Sequence, residues 1–215
     1  MHQVVRTMQE QAFKMYLLLI IATLLLAVWS FIGAPDRLLW YLEAAPVLGG
    51  LAILLVSRRV YPLSGFAYGW IAFSFGLMLV GAHYTYAEVP LFDKELWGTS
   101  RNHYDRVGHF FQGVVPALLL REVFARNGML AQNRWLMTVM IVGATIGISA
   151  LYEIAEMTAS FMVEGSTIDS FLGLQGDQLD TQKDMVMAMG GALFALLLCC
   201  FHDRSLKKLQ QRAST

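Results

Sequence analysis

Apolar residues in this chain are gathered into long runs separated by short polar stretches. Six runs stand out, at residues 13–33, 39–56, 66–87, 104–120, 136–158 and 181–201. Each approaches the ~20 residues that a helix needs to cross the hydrocarbon core of a bilayer. Inside a membrane a chain must satisfy its backbone N–H and C=O groups within itself, so runs of this kind predict helices. The predicted fold class is therefore all-α: a polytopic membrane bundle of six transmembrane helices forming a single domain over residues 1–215. Pro35, Pro62 and Pro90 fall in the connections, where a missing N–H costs little, whereas Pro116 falls inside the fourth run and predicts a kink. The first run is longer than the roughly 7–15 apolar residues of a signal peptide core, and Pro35 follows the only small-residue candidate for cleavage, so it reads as a retained helix. Gly143 and Gly147 in the fifth run have GxxxG spacing, and Gly190, Gly191 and Ala192 lie in the sixth. Small residues let helix backbones approach closely in lipid, and these are expected to pack within the molecule.

Composition agrees with the pattern. The 215 residues are 56% hydrophobic and 15% charged, against the ~25% charge of an average soluble domain. Sixteen basic and sixteen acidic residues cancel, which leaves no basic field for nucleic acid. Cys199 and Cys200 are adjacent and cannot staple distant segments, so they read as reduced packing or lipid-facing thiols. Lys and Arg set the orientation. With a cytoplasmic N-terminus, Arg6, Lys14, Arg58, Arg59, Arg121, Arg126, Arg134, Arg204, Lys207, Lys208 and Arg212 face inward, while Arg37, Lys94, Arg101, Arg106 and Lys183 face outward. Eleven against five predicts both termini on the cytoplasmic side. The tail from Arg204 onward is amphipathic and reads as a solvated segment near the headgroups.

The ionisable residues carry the candidate chemistry. The third run ends in His83-Tyr84-Thr85-Tyr86-Ala87-Glu88, and the fourth opens with Asn102-His103-Tyr104-Asp105-Arg106-Val107-Gly108-His109. The fifth ends in Tyr152-Glu153-Ile154-Ala155-Glu156, and the sixth is entered through Asp177-Gln178-Leu179-Asp180-Thr181-Gln182-Lys183-Asp184. In the predicted orientation all four ends lie at the outer side, with the charged residues roughly 5–8 Å below the interface at 1.5 Å per residue. Asp105/His109 and Asp180/Asp184 are i,i+4 pairs and Glu153/Glu156 an i,i+3 pair, so each pair shares a helix face. Ionisable groups at this depth need partners and turn away from lipid. Clustered carboxylates with imidazoles are a ligand set for Zn²⁺, Mn²⁺ or Fe. His83, Asp105, His109, Glu153 and Asp184 are the candidate metal ligands. Glu156 and Asp180 are the candidate proton acceptors, and Arg106 and Lys183 the candidate holders of an anionic headgroup. Asp180 also has the ordinary reading of a helix N-cap. The stretch Gly173-Leu174-Gln175-Gly176-Asp177 reads as a turn in an outer loop. The inner connections carry no comparable polar material.

At these four stretches the sequence resembles the YjdF-like family of bacterial inner-membrane proteins, from the second run onward. The resemblance implies a multi-pass protein of the bacterial inner membrane. More distantly the chain is similar to VanZ-like membrane proteins, which are associated with teicoplanin resistance. They share the Asp–basic–x–x–His opening seen here at Asp105, Arg106 and His109, while Glu156 stands where their form has Gln. The expected partners are the lipid bilayer and a lipid or envelope precursor. The expected activity is a divalent-metal-dependent hydrolase or transferase at the outer leaflet, with a proton- or cation-linked transporter and a structural envelope protein as alternatives.

Overall fold

The computed structural model describes residues 2–129, 133–161, 172 and 175–213. The described elements are α1 (His2–Gly33), α2 (Arg37–Ser57), α3 (Gly65–Tyr84), 3₁₀ turns at Tyr86–Glu88 and Pro90–Phe92, α4 (Lys94–Trp97), α5 (Tyr104–Arg126), α6 (Arg134–Ser160), α7 (Asp180–Leu197) and α8 (Cys199–Ala213). No strand occurs among the described residues.

Short polar residues start the helices. Asp36 accepts hydrogen bonds from the amides of Leu38 and Leu39, Ser64 from Ala67, and Asn133 from Leu136. These caps satisfy amides that have no partner within the helix. Asp180 is not such a cap. It is the first residue of α7, and Asp177 caps the turn by accepting from the amide of Leu179.

Two apolar clusters hold the bundle. Tyr16, Leu19, Trp40, Val47, Phe75 and Leu79 join α1 and α2 to α3. Val114, Leu118, Ile141, Ala192 and Ala195 join α5, α6 and α7. A polar thread stitches the first group, since Trp40 Nε1 donates to Ser30 Oγ (2.7 Å), which donates to the carbonyl of Leu79 (2.7 Å). The α5–α7 contact is the most extensive among the described elements. There Gly113 lies against the carbonyl of Ala188, and Gly191 against the carbonyl of Phe110, so closely that a Cβ on either would overlap partner backbone. By contrast, Gly143 and Gly147 are exposed and have nothing within 4 Å of an added Cβ. The expectation that these two pack within the molecule is corrected: the buried stripe of α6 is Met137, Ile141, Thr145 and Ser149, on another face.

The surface inverts that of a soluble protein. Leu25, Ile32, Ile53, Val56, Leu151 and Leu197 are exposed, whereas Glu43, Glu122, Asp180, Asp184 and His202 are buried. Among the described residues four helices are long and apolar enough to cross a membrane: Phe13–Gly33, Arg37–Ser57, Gly65–Tyr84 and Arg134–Ser160. The pair Asp180–Leu197 and Cys199–Lys207, bent by 57°, makes a fifth if it is one span. Helix α5 is long enough but carries Asp105, Arg106, Arg121 and Glu122, and its flanks are covered by α3, α6 and α7.

Three boundaries differ from expectation for physical reasons. Helix α3 stops at Tyr84 because Thr85 takes φ 66°, a left-handed value that ends an L-residue helix. Helix α5 runs on past residue 120 to Arg126, through Pro116, because its polar end is bonded inside the protein. Glu122 accepts from the amide (2.9 Å) and hydroxyl (2.7 Å) of Ser64 and lies 3.2 Å from His202 Nε2, while Arg121 bonds Asp203 (2.6 Å). The same bonds turn the sixth run into two helices. Its end, α8, packs His202 and Leu206 inward, so it is docked at its start instead of free in solvent. The end of the bundle that carries Glu122 and His202 therefore does hold buried polar material, unlike the expectation for the connections there. Cys199 and Cys200 are free, half-buried and exposed respectively.

Candidate functional site

The close α5–α7 crossing sets the site. Above Gly113, α5 presents Asp105 and His109 one turn apart; above Gly191, α7 presents Asp184 and Asp180 in the same way. The end of α6 adds Glu153 and Glu156. These side chains form two layers with different electrostatics.

The outer layer is internally paired. Arg101 is buried and forms an ion pair with Asp180, with Asp177 at 3.7 Å and Asp105 at 3.8 Å. Arg106 lies 2.5 Å from Asp177 and 3.4 Å from Asp180, and Lys183 reaches Asp177 at 2.6 Å. The Lys183 hydrogen bond, ahead of the Leu179 amide, holds the Asp177 carboxyl well below the usual carboxylate range. Asn102 ties the preceding segment down through the carbonyl of Val89 (2.9 Å) and the side chain of Gln175 (2.8 Å), with Tyr104 N donating to Asn102 Oδ1 (3.0 Å). Gln175 and Gly176 form a turn with positive φ, as expected of that loop; Gly173 and Leu174 lie outside the described residues. His103 stands at the start of α5 without a capping bond, and desolvation, followed by the charges of Arg106 and Arg101, lowers its imidazole pKa.

The inner layer is not balanced. His109, 5% exposed, has Nε2 at 3.5 Å from Asp105 and Nδ1 at 3.5 Å from Glu153. Gln112 Oε1 is 2.8 Å from Nδ1. The ring thus meets Asp105 through one nitrogen and Glu153 and Gln112 through the other. Candidate ligand atoms of Asp105, His109 and Asp184 lie within 4.8 Å of one another, as do those of His109, Glu153 and Glu156. Glu153 Oε1 and Asp184 Oδ1 are buried without a hydrogen-bond partner. Buried carboxylates facing one imidazole call for a cation or a proton.

Two cavities meet at this layer. The larger, of about 420 Å³, lies between α6 and α7 and is lined by the carboxylates together with Ile154, Met157, Leu172 and Met185. The smaller, of about 30 Å³, lies on the far side toward α2 and α3, and is lined by Glu43, Tyr86, Gln112 and Tyr152 among others. Asp105, His109 and Glu156 line both.

Of the residues singled out from the sequence, Asp105, His109, Glu153, Glu156 and Asp184 meet in the inner layer. Asp180, Arg106 and Lys183 lie in the outer layer, each already in an ion pair. His83 does not join them. Its ring stacks on Trp29 at 3.9 Å and fills the space beside Gly33, because the last turn of α3 faces α1 at that register. His83 therefore stands apart from the other candidate ligands, packed against Trp29 and Gly33. Sequence reasoning missed Glu43, which is 4% exposed and accepts from Tyr86 N at 3.3 Å. A lone acid within an apolar run was the available signal. It also passed over Arg101, Gln112 and the tyrosines at 86 and 152, whose roles depend on the 3₁₀ turns folding Tyr86 back between Gly81 and Gly108.

An apolar exterior around buried charged layers defines a helical integral membrane protein. The chain belongs to the family described as "Predicted membrane protein (DUF2238)", whose profile matches residues 15–205. It is 42% identical over 187 residues to the inner membrane protein YjdF of Escherichia coli (strain K12), a match that covers 86% of this chain and 88% of that protein. No solved structure matches. The protein is a multi-pass protein of the bacterial inner membrane.

Proposed function

We propose that the inner layer is a divalent-cation site serving a hydrolase or transferase that acts on a lipid or envelope precursor at the outer leaflet. The observation that carries this reading is the convergence of Asp105, Asp184 and the Nε2 edge of His109, with a carboxylate oxygen of Asp184 left unbonded. The donor set suits Zn²⁺, Mn²⁺ or Fe. Glu153 and Gln112 stand on the opposite, Nδ1 edge of the ring and orient it, as partners of a metal-bound histidine commonly do. A bound cation would polarise a substrate oxygen and acidify a water. Glu156, which lines both cavities, is the proton acceptor in this scheme. Asp180 is committed to Arg101, and Arg106 and Lys183 to Asp177, so these five hold the loop onto α7 instead of gripping a headgroup. The larger cavity supports an amphiphilic substrate, since carboxylates line one part and Ile154, Met157, Leu172 and Met185 another. The carrier reading draws less support, because the inner-side group around Glu122 and His202 is bonded closed.

The reading includes a topology: α1, α2, α3, α5, α6 and the α7–α8 pair make six crossings with both termini cytoplasmic. Single cysteines at Thr99 and Gly128 in a Cys199→Ala/Cys200→Ala background test it. An impermeant thiol reagent added outside should label the first and spare the second; the reverse pattern overturns the orientation. The site itself is tested by elemental analysis of purified protein. Wild type should carry stoichiometric metal, with at least one equivalent lost in His109→Ala and in Asp184→Asn while helicity by circular dichroism is unchanged. Wild type without metal after loading with Zn²⁺, Mn²⁺ and Fe²⁺ overturns the site.

A further inference from the structure

The cavity of about 420 Å³ between α6 and α7 has walls of opposite character. One is acidic, with Glu153, Glu156 and Asp184 beside His109 and Thr181, and among the described residues no Lys or Arg lines it. The cations of the outer layer are engaged elsewhere, Arg101 with Asp180, and Arg106 and Lys183 with Asp177. In sequence, residues 161–182 contain no Lys or Arg either. Two oxygens of the acidic wall, Glu153 Oε1 and Asp184 Oδ1, are buried and accept no hydrogen bond. In the scheme above the Asp184 oxygen goes to the metal ion. The Glu153 side chain is only 10% exposed, and its unbonded oxygen carries the desolvation cost of a buried acceptor without a donor. The other wall is apolar, formed by Ile154, Met157, Leu172 and Met185. Ile154 and Met157 are also exposed on the flank of α6, so this wall is continuous with the lipid-facing surface.

We propose that this cavity binds an amphiphile with a primary ammonium head, the head donating to Glu153 and the chain lying along Ile154, Met157, Leu172 and Met185 toward lipid. The inference rests on the reading of this cavity as the substrate site, and it narrows the substrate class. A phosphate, sulfate or carboxylate head would meet acidic side chains with no cation on the wall to pair with, and like charges so placed oppose binding. A primary ammonium offers three donors and no acceptor, which suits a wall whose unanswered atoms are acceptors. Its hydrogen bond to a carboxylate is charge-assisted and about twice as strong as the one a hydroxyl head would make. A quaternary ammonium has no N–H to give and is held by aromatic faces, yet no Phe, Tyr or Trp lines this cavity among the described residues. A small free amine would leave the apolar wall unused. The volume falls within the ~300–1,000 Å³ of small-molecule sites, enough for a head and the first part of a chain.

The test titrates full-length protein in a non-ionic detergent with four probes that share one chain: octylamine, octanol, octyl phosphate and octyltrimethylammonium. Calorimetry reads binding against empty micelles, and metal content is measured on the same samples. Wild type should bind octylamine about tenfold or more tighter than each of the other three. Glu153→Gln, which keeps the size of the side chain, should bring octylamine down to the level of octanol. Thr181→Lys, which sets an ammonium of the protein's own on the acidic wall, should do the same by occupying the site. Octanol or octyl phosphate bound as tightly as octylamine in wild type, or octylamine bound undiminished in both variants, overturns the proposal. Octyltrimethylammonium bound as tightly as octylamine overturns the assignment of a primary amine. Octylamine selectivity in a wild type that takes up no metal leaves this site standing and removes the metal reading; metal without that selectivity does the reverse.

Discussion

Gly191→Ala adds one methyl group where α7 meets α5, and the structure sets the consequence. The new Cβ would overlap the carbonyl oxygen of Phe110 and crowd the amide nitrogen of Val114 at 3.0 Å. Both are backbone atoms of a packed helix, so no rotamer relieves the clash. Normal carbon contacts are ~3.5–4.0 Å against 1.9 Å to that oxygen, so the helices must give way by roughly 1.5–2 Å. Overpacking of this kind costs about 1–3 kcal/mol, and the rigid neighbour argues for the upper half of that range. For a chain of this size each kcal/mol lowers the melting temperature by about 2–4 °C, which gives a fall of roughly 4–12 °C. The site moves with the helix, because Asp184 is seven residues, or about 10 Å, along α7 from Gly191. Thermal unfolding in detergent, followed by circular dichroism, reads the first effect, and metal affinity reads the second. Gly143→Ala and Gly147→Ala are the controls, since nothing lies within 4 Å of a Cβ there, and both should melt within 1 °C or so of wild type, consistent with small surface effects. If Gly191→Ala melts with them, the close α5–α7 approach is wrong.

Two other perturbations separate the ends of the molecule. Glu122→Leu leaves the Ser64 amide, the Ser64 hydroxyl and His202 without their acceptor; breaking such a buried group costs about 3–5 kcal/mol. It should expose α8 to added protease in inverted vesicles, and an α8 that stays protected would show that the docking does not depend on this cluster. Lys183→Met acts on the outer loop through pH. In the wild type Asp177 has its carboxyl pKa depressed, chiefly by Lys183. The stabilisation it gives is complete above the ordinary carboxylate value near 3.8 and is lost only as pH falls through the lower, folded value. Protection of the loop from hydrogen exchange should therefore hold in wild type down to about pH 4 and begin to fail at a higher pH in Lys183→Met. Superimposable acid profiles would refute that pairing.

The linear order of residues was enough to determine the solvent, the class of element and the polar layer. Runs of about 20 apolar residues admit only helices in lipid. The i,i+4 spacing of Asp105 with His109 and of Asp180 with Asp184 puts each pair on one face whatever the neighbours are. Tertiary structure decided everything that depends on which face meets which helix. His83 and Glu43 make the contrast. Both are polar residues in apolar runs, and periodicity ranks the histidine first because it lies beside other polar groups. The rotation of α3 turns it to Trp29, while α2 carries Glu43 into the cavity. Gly113 and Gly191 are likewise indistinguishable in sequence from Gly143 and Gly147, because a glycine records only that a side chain is missing and not whether a partner backbone fills the space. Helix rotation, and the sharing of a charge between two cavities, follow from packing between segments remote in the chain; local spacing carries no information about either.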